Sequence, residues 1–97
     1  MASLRNLKAE IDELMSMVLS DCMFVLEYNT KVDQIVVAGI ADRVTRIHRE
    51  LRIRANHPDG RDNPKLVRQF YTNLRNDLLK VADEALEELS KAVEKTR

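Results

Sequence analysis

Ninety-seven residues, 44% of them apolar, 33% charged and 4% aromatic, make one domain. With two glycines and no tryptophan, the chain has too few turn formers and β-formers for a sandwich or barrel, so an all-α fold is expected. The formal net charge is zero, and Cys22, the single cysteine, excludes an internal disulfide.

Zero charge hides a partition. Residues 1–42 carry three basic against seven acidic side chains, a net of −4. Residues 43–75 carry nine against three, a net of +6, and residues 76–97 carry four against six, a net of −2. The opening Met1–Leu7 lacks the apolar stretch of a signal peptide. The longest apolar run, Ile35–Ala41, is too short to span a bilayer. A cytoplasmic protein with no membrane contact is expected.

Ser3 is placed to cap a first helix over about 4–27, with Leu4, Leu7, Ile11, Leu14, Val18, Cys22 and Val25 at three-four spacing. From Leu14 to Tyr28, eleven of fifteen residues are apolar, Met15, Met17 and Met23 among them. A helix apolar nearly all round needs cover all round, more than two neighbours supply, so a homodimer is expected. Thr30, with Asp33 three residues on, reads as a capping box for a second helix over about 31–55, striped by Val37, Ile40, Val44, Ile47 and Leu51. Gly39 inside that helix costs about 1 kcal/mol of helix propensity, and a neighbouring helix passing close by would account for it.

The segment Asn56-His57-Pro58-Asp59-Gly60-Arg61-Asp62-Asn63-Pro64 stops that helix, turns, and restarts the chain. Asp59-Gly60 suits a tight turn, and Asn63-Pro64 suits a capped helix start. A third helix over about 64–95 follows, with Val67, Phe70, Leu74, Leu78, Val81, Leu86, Leu89 and Val93 on its apolar stripe. Short links make neighbours antiparallel, giving an up-down-up three-helix bundle. At 1.5 Å per residue the third helix overhangs by about 10 Å, and the expectation places Leu89, Ala92 and Val93 in that overhang. Met15, Leu19, Cys22, Met23, Leu26, Leu89 and Val93 are therefore the expected dimer interface.

The topology gathers Arg49, Arg52, Arg54, His57, Asp59, Arg61, Lys65 and Arg68 at one end, near Arg5 and Lys8. This is a candidate site for a phosphate, a nucleic acid or an acidic protein partner. Arginines there also complement the second helix's dipole, and no aromatic interleaving or nucleic-acid motif accompanies them. Asp21 and Asp77 interrupt apolar stripes. Each suits a register-fixing or edge position, or a buried ion pair with Arg43, Arg46 or His48. Two histidines and one cysteine give no metal-ligand set, and no nucleophile motif or phosphate loop appears. No catalytic residue, cofactor or metal is expected.

His57-Pro58-Asp59, after a basic helix, resembles the J domain, in which this tripeptide links two antiparallel helices and contacts a chaperone ATPase. Arg52, Arg54 and Asn56 stand where that family's apolar pattern belongs, and turn chemistry accounts for the tripeptide equally. Ala2–Lys8 and Asn56–Val67 are similar to a family of small, functionally uncharacterised all-helical bacterial proteins. That resemblance implies a bacterial, cytoplasmic, all-α protein and no particular activity. The function expected is that of a non-catalytic interaction or structural protein acting through self-association and a protein partner. The alternatives are anion or nucleic-acid binding at the basic end, and a divergent J-like co-chaperone.

Overall fold

A computed structural model describes residues 4–58 and 62–97. Three helices, α1 (Leu4–Tyr28), α2 (Gln34–Asn56) and α3 (Pro64–Glu94), pack as an up-down-up bundle in a rod of 52 × 19 × 16 Å. The expectations for Ser3, Asp59, Gly60 and Arg61 fall outside the described residues.

The links follow from side chains that compete for backbone hydrogen bonds. Asn29 Oδ1 accepts from Lys31 N at 3.1 Å, holding the link after α1 in a turn. The capping box expected at Thr30 does not form. The N-cap is Asp33, whose Oδ1 accepts from Ile35 N at 3.0 Å and Val36 N at 3.3 Å. Val32 before it and Val37 after it are both buried, at the spacing of a hydrophobic staple, so the apolar pair selects the later start. α3 begins as its sequence indicates. Asn63 Oδ1 accepts from Lys65 N and Leu66 N, with Pro64 in the first turn.

The core is a single apolar column of residues such as Leu7, Ile11, Met15, Val18 and Cys22 from α1, Val37, Ile40, Val44 and Leu51 from α2, and Leu74, Leu78, Ala85 and Leu89 from α3. Among the described residues no polar or charged side chain is buried. Asp21 and Asp77 are accordingly exposed, and the buried ion pair does not occur. Gly39 has open space around the position of a Cβ, with nothing within 4 Å, so close helix approach does not explain it.

Cross-helix ion pairs flank the core and set the register. Arg75 meets Glu10 with two hydrogen bonds, at 2.9 and 2.8 Å, joining α3 to α1. Asp12 on α1 accepts from His48 Nε2 at 2.7 Å and from Arg52 at 3.3 Å, both on α2. Arg54–Asp77, at 2.9 Å, and Arg43–Glu88 join α2 to α3. These pairs are half exposed, so each contributes at most about 1 kcal/mol.

The overhang lies at the opposite end from the one expected. Glu10 pairs with Arg75, and Asn29 Nδ2 donates to Thr96 Oγ1 at 3.1 Å. α1 and α3 therefore run parallel and finish level. Leu89 and Ala92 are buried and Val93 half-buried, none of them projecting. The start of α3 projects instead: Pro64, Lys65 and Leu66 are exposed, and Phe70 and Tyr71 are half-buried at the edge of the core. Length alone gives the size of an overhang, whereas side-chain pairing across the bundle decides which end carries it.

Candidate functional site

The seven residues expected to form a dimer interface separate into three environments. Met15, Cys22 and Leu89 lie in the core and Leu19, Leu26 and Val93 are half-buried, which leaves Met23 as the one fully exposed member. The late half of α1 is apolar all round in sequence, but its Met15, Val18 and Cys22 face satisfies α2 and α3. What remains is its outer face. Met23, Phe24 and Tyr28 are 58%, 63% and 67% exposed.

That outer face carries a shallow depression. Small Ser16 and Ser20 lie along its middle, and Leu19 and Met23 line one flank. Phe24 and Tyr28, with ring centroids 4.7 Å apart, line the other, and Glu27 closes the end. Periodicity puts Ser16, Ser20, Met23 and Glu27 on one line down the helix, with Phe24 and Tyr28 beside it. Phe24 and Tyr28 belong to the apolar run visible in sequence, but only the placement of α2 and α3 separates them from the core residues around them.

Cys22, on the core side of α1, is buried. Burial pushes its thiol above the ordinary value of 9.0, and the neighbouring Asp21 carboxylate adds to the shift. A protonated, enclosed thiol is a packing group and a poor nucleophile.

The basic end is assembled less completely than the charge count implies. Arg52 and Arg54 are engaged by Asp12 and Asp77. Arg49, Lys65 and Arg68 are exposed, and among the described residues they have no ion-pair partner. His57 is the C-cap of α2, its backbone N–H donating to Arg54 O at 3.1 Å, and its side chain is exposed. Arg61 and Asp59 lie outside the described residues.

Between α1 and α3, a groove of about 440 Å³ is lined by Glu10, Glu13, Leu14, Met17, Arg75, Leu78 and Leu79. Its one basic group, Arg75, is held by Glu10. Among the described residues no group of three His, Cys, Asp or Glu side chains is arranged to hold a metal ion. No helix there is long and apolar enough to cross a membrane. Compared with known proteins, the chain matches no family model, no curated protein and no solved structure.

Proposed function

We propose that this chain is a non-catalytic interaction protein whose working unit is a homodimer joined through the outer face of α1. The observation that carries this reading is the exposed trio Met23, Phe24 and Tyr28 lining one shallow depression. At about 200 Å² per large side chain, the three leave roughly 400 Å² of apolar surface in water, within the range of the largest patches on monomers, which are often functional. Two copies bring together roughly 800 Å² of it, and a polar rim extends that to the lower end of a standard interface.

The charge of the other end supports an acidic protein as the further partner, met by Arg49, Lys65 and Arg68 of each copy. Single-stranded oligonucleotide is the control ligand. Oligonucleotide binding that falls steeply with salt would favour the nucleic-acid reading instead.

Light scattering from about micromolar to hundreds of micromolar tests the dimer. The expected mass is twice 11.2 kDa. Changing Phe24 to Ser and Tyr28 to Ser together is expected to return it to one copy with the fold intact, because neither side chain belongs to the core. A single-copy mass throughout that range overturns the reading.

A further inference from the structure

Self-association through α1 leaves open which way the second copy lies, and charge and shape on the outer face choose between the options. Resting on the dimer reading above, we infer that two α1 helices pack antiparallel, crossing at Ser16, with Arg5 of each copy paired to Glu27 of the partner subunit.

The exposed face of α1 carries Arg5, Ala9, Glu13, Ser16, Ser20, Met23 and Glu27. Its two halves are unlike. The early half carries a basic group, a small one and an acid, and the late half carries a large apolar group and an acid. Arg5 lies eleven residues before Ser16 and Glu27 eleven after it; Ala9 lies seven before and Met23 seven after. A twofold axis at Ser16 therefore sets a base against an acid and a small side chain against a large one, each of them twice. Neither Arg5 nor Glu27 has an ion-pair partner among the described residues.

The alternatives fit worse. A parallel pair sets Glu27 against its own copy and Met23 against Met23. An axis at Ser20 sets Glu13 against Glu27. Asp12, on the flank turned to α2, is already held there by Arg52.

The reach is adequate. Eleven residues are about 16 Å of helix. At a crossing angle of about 20°, the axes diverge sideways by only roughly 6 Å at that distance, which Arg and Glu side chains span together. A steep crossing of about 50° roughly doubles the gap, so the pairing specifies a shallow one.

Disulfide trapping reads the register directly, because Cys22 is buried and does not compete. Ser16→Cys is expected to cross-link copy to copy on mild oxidation. Met23→Cys is expected not to, since the two copies of residue 23 lie about 21 Å apart along the axis. Glu27→Arg is expected to weaken the dimer about tenfold, and adding Arg5→Glu to restore it to within threefold.

Trapping at residue 23 and not 16 overturns the register, and trapping at both indicates a parallel pair and overturns the orientation. A wild-type dimer that traps at neither position, or one indifferent to both charge reversals, overturns this inference and leaves self-association standing. A wild-type monomer overturns both.

Discussion

At one end of the rod the core continues to the last turns: Ala92 is buried, and Asn29 donates to Thr96 across the gap between the first link and the end of α3. At the other end burial begins only at Leu74, ten residues inside α3, although the apolar spacing runs on through Val67, Phe70 and Tyr71. The two ends use similar residues and differ in walls. α1 and α2 both finish before the start of α3 does, so Leu66 is left exposed, while Phe70 and Tyr71, ring centroids 5.8 Å apart, reach the edge of the core and are only half-buried. Periodicity describes what a helix offers, whereas burial requires neighbours to take up the offer.

The sharpest way to break this contrast is to truncate one leucine at each end. Leu89→Ala is expected to cost about 2–4 kcal/mol in denaturant unfolding at fixed protein concentration, because it opens a cavity in the closed end. Leu66→Ala in the overhang is expected to stay within about 0.5 kcal/mol. Comparable losses at both ends would mean that something covers the start of α3.

The helix caps give a milder version of the same test. Asp33→Ala removes the cap of α2 at the closed end and is expected to cost about 1 kcal/mol. Asn63→Ala removes the same chemistry from turns that open locally, so its expected loss is about a third of that, with amide exchange of Lys65–Arg68 faster than of Leu74–Leu78. Between the ends, Gly39→Ala meets open space and is expected to stabilise the protein by about 0.5–1 kcal/mol, read as a higher denaturation midpoint.

The smallest effect concerns pH. In the fold Cys22 holds its proton above 9.0, while the unfolded chain releases it near its ordinary value. The unfolded state is then the one that loses protons first, so stability falls as pH rises through and beyond that value and is unaffected below it. Cys22→Ala, although weaker at neutral pH through its cavity, is expected to show a shallower decline on the alkaline side.

Much of the architecture is legible in the chain. Spacing of Leu7, Ile11, Val18 and Cys22 marks the inner face of α1, and Asn63-Pro64 marks the start of α3. The features that escaped depend on choices between neighbours. Thr30 and Asp33 are both competent caps, and the Val32–Val37 spacing decides between them. Which end of α3 projects depends on Glu10 finding Arg75. The candidate site divides in the same way. An apolar surplus in Leu14–Tyr28 is visible in composition, but the surplus resides in Met17, Met23, Phe24 and Tyr28 and not in Met15 or Cys22. The arginines of the basic end are countable in sequence, whereas the loss of Arg52 and Arg54 to cross-helix acids is not.

An odd number of helices has a mechanical consequence. Leu4 and Glu94 lie at opposite ends of the 52 Å rod, so tension applied between them runs along its long axis. Such a load slides the helices past one another instead of peeling one away. The ties Glu10–Arg75, Asp12–Arg52 and Arg54–Asp77 then strain together. Individually weak at equilibrium, they share a shearing force as rivets in a lap joint do.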